Sequence, residues 1–166
     1  MMKKESIFTA GYTADSNKII QLLNEARARE IIAYLEYKYF EIIMDGRMME
    51  DMQELMKEHA AQELGHAERA GFRVNQLLGE PINALSDIEK IGKKFNYAFK
   101  PLKNYTDMLK DLLEKERIAI EGYRNLVKLC AFDDPITRKI AEDALNDEEH
   151  HADEIYNLLK GSCASG

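Results

Sequence analysis

The stretch from Asp147 to Glu154, DEEHHADE, decides how this chain reads. It crowds acids and two histidines into about two turns of a helix, so only the helical period tells which of them face solvent. Asp147 and His150 share a stripe with Asp143 and Glu154, and that stripe is polar throughout. Glu148 and His151 share a stripe with Ala141, Ala144, Ile155 and Leu158, which is apolar. The first pair is therefore expected in water and the second in a core.

A second stretch upstream, QELGHAER, repeats the arrangement. Glu63 and His66 fall in phase with Met52, Met56, Ala70 and Leu77. Two helices thus each place a Glu-x-x-His pair on an inward face, where residues three apart are neighbours. Two further helices each set one glutamate into an apolar stripe: Glu30 between Ala26 and Ala33, and Glu116 between Leu112 and Ile120.

Four helical segments carry these stripes. They are expected over about Asp15–Asp45, Met48–Leu78, Pro101–Cys130 and, after Asp134 as N-cap and Pro135 at the first turn, to about Lys160. Gly46 permits a short turn between the first two, and FDDP marks one between the last two, so each pair reads as an antiparallel hairpin. Between the hairpins lies INALSDIEKIGKKFNYAFK, without a long clean period and long enough to cross the length of a bundle. The domain reading is an N-terminal extension over 1–15, a four-helix bundle over 16–160 and a tail over 161–166.

Height along the bundle follows from the turns. Glu30 and Glu63 are almost equidistant from Gly46, and Glu116 and Glu148 from Asp133. At the helical rise each pair lies about 25 Å from its own turn. The halves also echo one another: Tyr37 follows Glu30, and Tyr123 follows Glu116, by two turns on the same stripe. Four carboxylates in an apolar core without compensation cost several kcal/mol each. No Lys or Arg falls in phase to pair with them, so two divalent cations with two imidazoles completing the shells is the expected balance. Di-iron and di-manganese bundles carry this constellation.

Composition closes off other classes. The chain of 166 residues suits one domain, and its net charge of −7 argues against a nucleic-acid binder that works through phosphate contacts. No apolar run is long enough for a membrane span, and the amino terminus MMKKESIFTAGYTADS lacks the apolar segment of a signal peptide, so a cytoplasmic protein is expected. Cys130 and Cys163 have neither metal-type nor disulfide-framework spacing. His59, one turn before Glu63 on the inner face, is read as supporting the site or the core rather than as a metal ligand, and His150 as a surface histidine. The five methionines of MDGRMMEDMQELM are read as gap fillers.

Through REIIAYLEYKYF, ELGHAER, LLEKERIAIEGY and DEEHHADE the chain resembles the ferritin-like superfamily, and within it the bacterioferritins and Dps-like mini-ferritins. The resemblance implies an all-α ferritin-like four-helix bundle and a di-iron ferroxidase, oxidising Fe(II) with O2 or H2O2 for storage or detoxification. It implies two irons per subunit, with manganese or zinc able to occupy the same donors. Glu30 and His66 would be terminal ligands of one ion, Glu116 and His151 of the other, and Glu63 and Glu148 the bridges. Tyr37 would stand close by, placed to donate an electron or a hydrogen bond. Bacterioferritins hold haem through a methionine directly after the helix-two glutamate; here that position is Leu64, so the usual haem site is not expected. A homo-oligomer, dimer or shell, is implied. The alternative activity is an erythrin-like peroxidase reducing H2O2, whose extra glutamate one turn along the third helix is Ala119 here.

Overall fold

The structure, a computed structural model, describes residues 11–44 and 49–163. The turn expected at Gly46 and the side chain of Cys163 lie outside the described residues. Five helices follow in order: α1 (Ser16–Ile43), α2 (Met49–Gln76), α3 (Leu85–Lys94), α4 (Tyr105–Cys130) and α5 (Pro135–Cys163). There are no strands among the described residues. Asp15 starts α1 by accepting a hydrogen bond from the Lys18 backbone at 3.0 Å. Asp134 does the same for α5, accepting from the Thr137 backbone at 2.9 Å ahead of Pro135. The third long helix begins at Tyr105 rather than Pro101, because Asn104 caps it by accepting from the Asp107 backbone at 3.1 Å.

The short helix α3 lies inside the segment read as having no clean period. It buries only Ile88 and Gly92, too few positions to define a stripe. At the end of α2, Gly79 is needed for its small size, since a Cβ there would come within 2.8 Å of the Ile20 side chain.

The long helices pack α1 on α2, α4 on α5, α1 on α4 and α2 on α5, with α3 laid over α1. Contacts give the directions. Tyr37 meets Glu116 while Glu30 meets Tyr123, so α1 and α4 run antiparallel. His59, Gln62 and His66 meet Glu154, His151 and Asp147, so α2 and α5 do too. This is the long-crossover bundle that the loop lengths predict.

Two apolar clusters fill the interior. One gathers Ile32, Phe40, Met56, Leu109 and Leu112 with the α3 residue Ile88. The other gathers Ile19, Leu23, Val74, Leu126 and Ala141. The buried glutamates sit at the level between them.

The second cluster is closed by a polar lock. The buried Arg73 guanidinium donates to Asp134 at 2.8 Å and to Thr137 Oγ1 at 2.7 Å. From the segment before α1, the Tyr12 hydroxyl donates to Asp134 at 3.0 Å and that of Thr13 to Asp133 at 2.9 Å. Part of the N-terminal extension therefore lies on the α4–α5 turn. Asp134→Ala removes the α5 cap and strands the Arg73 charge in the core. Urea unfolding is expected to record a loss of about 3 kcal/mol, because removing one partner of a buried pair leaves the other uncompensated. A loss under ~1 kcal/mol, the worth of an exposed pair, would show that the lock contributes little.

Candidate metal centre

Between the two clusters the structure brings together all six residues singled out from the sequence. Glu30, Glu63, His66, Glu148 and Glu116, Glu63, Glu148, His151 form two groups, fully buried, each with donor atoms within 4.8 Å of one another. His66 Nδ1 lies 3.0 Å from Glu148 Oε1, 3.6 Å from Glu30 Oε2 and 3.7 Å from Glu63 Oε2. His151 Nδ1 lies 3.1 Å from Glu63 Oε1, 3.8 Å from Glu116 Oε2 and 4.0 Å from Glu148 Oε2. These atoms are buried and lack a well-formed hydrogen bond. They divide without remainder into two tetrads, one around each imidazole. Glu63 and Glu148 give one oxygen to each.

The outer atoms are tied down. His66 Nε2 meets Asp147 Oδ2 at 3.0 Å, and His151 Nε2 meets the Gln62 side-chain oxygen. With the outer nitrogen of each ring engaged by an acceptor, the Nδ1 atoms are aimed inward, as histidines that bind metals require. Asp147 therefore does not simply face water as its polar stripe suggests. Asp143 and His150 on the same stripe do, but the Asp147 carboxylate bends in to hold His66, and Glu154 likewise reaches the buried His59. Gln62 carried no sequence signal at all. His150 is exposed, as read.

The two tyrosines cross over between hairpins. Tyr37 donates to Glu116 Oε1, and Tyr123 donates to Glu30 Oε1 at 3.0 Å. Each terminal carboxylate thus has one oxygen fixed by a phenol and leaves the other for the tetrad. His59 stacks on His151 with ring centroids 4.0 Å apart. Leu64 lies on the outer face of α2, exposed.

One expectation needs correcting. Two cations do lie buried close to this level. Lys115 is paired with Glu36 and Asp111, outside the tetrads. Arg29 packs over the Phe95 ring at 5.4 Å, in space left by Gly122, and its charge helps to lower the pKa of Glu30. Each directly precedes a tetrad glutamate in the sequence, Arg29 before Glu30 and Lys115 before Glu116, on a flank that periodicity assigns to the surface. Their long stems let them fold into the α1–α4 seam.

Charge in the metal-free site is settled by protons. Burial, then the charge of Glu30, pushes the Glu63 carboxyl well above its ordinary range; burial and the charges of Glu63, Glu30 and Glu116 do the same to Glu148. Glu30 and Glu116 go the other way. Burial opposes their ionisation, but contacts with the imidazoles and neighbouring carboxyls outweigh it, and Glu30 falls to about 2. Both imidazoles are raised, because contacts with Glu148, Glu30 and Glu63 at His66, and with Glu116 at His151, overcome burial.

Without metal, then, the site favours the protonated forms of two carboxyls and two imidazoles. A cation needs all four deprotonated. Loading two divalent ions at pH 7 is expected to release protons, measured in unbuffered solution with an indicator, and affinity falls as pH falls. Loading with no proton release would contradict the assignment of these groups.

Two helices each giving a glutamate and two each giving Glu-x-x-His, all projecting into the core, define a class of helical bundle built around a carboxylate–histidine centre. The chain belongs to the ferritin-like domain family, whose model matches residues 20–161. It is 28% identical to a bacterioferritin of Desulfovibrio desulfuricans over 142 residues, 85% of this chain and 74% of that protein. It is 25% identical to a DNA protection during starvation protein of Pyrococcus furiosus, over 89% of this chain and 80% of the relative. Among solved structures, the dodecameric thioferritin, a bacterioferritin-related protein of Bacteroides fragilis, superposes with a TM-score of 0.85 at 26% identity, covering 92% and 90% of the two chains. The buried carboxylates and histidines fit a di-iron centre of this family. Among the described residues no helix is long and apolar enough to cross a membrane.

Proposed function

We propose that this chain is a ferroxidase subunit that takes up Fe(II) in pairs and oxidises it to Fe(III) for storage or detoxification. The observation that carries this reading is the division of the unpartnered donors into two tetrads sharing Glu63 and Glu148. In this reading Glu30 and His66 hold one ion, Glu116 and His151 the other, and Glu63 and Glu148 bridge them. Nitrogen and oxygen donors of this kind suit iron, with manganese or zinc as redox alternatives or inert occupants.

With peroxide the balance is two Fe(II), one H2O2 and two protons giving two Fe(III) and two waters. With O2 it is two Fe(II), one O2 and two protons giving two Fe(III) and one H2O2. The protein's part is to hold the pair close, set its charge and keep other reactants out. Two dications offset four carboxylates. Tyr37 and Tyr123 fix the outer oxygens of Glu116 and Glu30, and the apolar clusters exclude bulk water. The peroxidase alternative finds no support at position 119, where α4 turns a buried alanine towards the core. The family relatives, together with exposed Ile42 and Phe72 on α1 and α2, support assembly into a homo-oligomer.

The test is aerobic loading with a large excess of Fe(II), then size-exclusion chromatography with iron counted against protein. Many irons per subunit on a large assembly are expected. Two per subunit on a small oligomer would sink storage and leave a redox enzyme.

A further inference from the structure

Where the crossover folds over α1 and α4, the structure opens a cleft of about 620 Å³, within the size range of small-molecule sites. Lys93 and Lys94 at the end of α3 and Arg117 on α4 line it as exposed cations, while Arg29 on α1 lines it at 3% exposure. The three exposed cations have acids: Lys93 pairs with Glu89 at 2.5 Å, Lys94 with Glu25 at 2.8 Å and Arg117 with Glu114 at 3.6 Å. Arg29 forms no ion pair among the described residues, and its buried Nε has no hydrogen-bond partner. The acids whose ionisation its charge favours turn elsewhere. Glu30 directs its oxygens to Tyr123 and His66, and Glu25 accepts from Lys94 and Gln21.

The cleft is built around this guanidinium. Gly122 makes the room, since a Cβ there would come within 2.3 Å of Arg29 Nη2 and 2.9 Å of Cζ. Phe95 supplies an aromatic face, with Arg29 Cζ 5.4 Å and Lys94 Nζ 4.6 Å from its ring centroid. Two cations thus converge on one ring, which neutralises neither. A buried charge without a counter-ion is costly, and the planar fork of an arginine matches the paired oxygens of an oxyanion. A carboxylate would satisfy Arg29 alone. The convergence of Lys94 and Arg117 on the same cleft suits the larger charge and three oxygens of a phosphate group.

We propose that this cleft binds a phosphate group, free or carried by a small metabolite, with Arg29 as its buried anchor and Lys94 and Arg117 beside it at the surface. The site does not depend on what the two tetrads hold.

The test is equilibrium dialysis of the metal-free full chain against radiolabelled inorganic phosphate at low ionic strength. Wild type is expected to bind one phosphate per subunit, saturably. Arg29→Gln should weaken binding at least about tenfold, the worth of one charged hydrogen bond. Gly122→Ala, which displaces the guanidinium and leaves every charge in place, should do the same. Lys139→Gln, which removes an exposed cation paired with Asp143 on α5, should change nothing. Competition separates the sources: glycerol phosphate displacing the label better than unlabelled phosphate assigns an esterified ligand, and the reverse assigns the free ion. The proposal is overturned if wild type shows no saturable binding, if either cleft variant, once folded, binds as wild type does, or if Lys139→Gln loses as much as they do. Should Arg29→Gln fail to fold, Gly122→Ala decides alone.

Discussion

Glu63→Gln and Glu148→Gln are each expected to slow Fe(II) oxidation by roughly 100-fold or more while making the metal-free protein more stable. The two effects have one cause. Each of these carboxylates offers one oxygen to each tetrad, so the amide removes charge and bridging from both ion positions at once. Without metal, however, the same carboxyls are a liability. Buried among Glu30, Glu116 and each other, they keep their protons far above the usual range. A group whose folded pKa is raised contributes its stability below the unfolded value, near 4.3, and loses it as pH rises towards the folded value. At pH 7 the unfolded chain ionises these carboxyls freely while the folded chain resists their ionisation, so they weigh against folding. Glutamine keeps the shape and removes that cost. Urea unfolding in chelator should show a gain of about 1–3 kcal/mol per substitution at pH 7, shrinking towards pH 4. A variant that loses both oxidation and metal-free stability would mark the residue as structural support instead.

The six tetrad residues were legible because a buried acid on an apolar stripe contradicts its surroundings, and a period of 3.6 exposes the contradiction. Heights were legible because Glu30 and Glu63, and Glu116 and Glu148, are nearly equidistant from their turns. What periodicity could not reach were contacts made by side chains bending across helix boundaries. Asp147 belongs to a polar stripe, yet its carboxylate is long enough to reach His66. Gln62 is exposed on α2 and still supplies the acceptor that orients His151. Arg29 and Lys115 occupy flank positions whose burial is decided by the crossover. Phe95 and Tyr97 bring aromatic faces over them, at 5.4 and 5.7 Å, from a segment with no clean period of its own. For the same reason α3 escaped notice: ten residues with two buried positions carry too little pattern. Tyr37 was placed near the site, but its partner, Glu116 on the other hairpin, depends on how α1 and α4 face one another.

Two inert dications, Zn(II) or Co(II), are expected to raise the unfolding temperature by about 15–30 °C, and chelator to reverse the shift. An ion that binds only the folded chain stabilises it by about 4 kcal/mol when present at a thousand times its dissociation constant. Two ions give about 8 kcal/mol, and a chain of this length shifts by roughly 2–4 °C per kcal/mol. The centre is built for such a gain, because the metal-free state is the strained one: eight donor atoms are buried without a well-formed hydrogen bond. The unfolded chain cannot assemble those donors, since Glu30, His66, Glu116 and His151 come from four helices that meet only in the bundle. Combining Glu63→Gln with Glu148→Gln should remove most of the shift, as neither tetrad then keeps more than one carboxylate. Were the double variant stabilised as much as wild type, the ions would be binding at the acidic surface. A shift seen in wild type and lost in the double variant would tie the stability of the fold to ions held by the two tetrads.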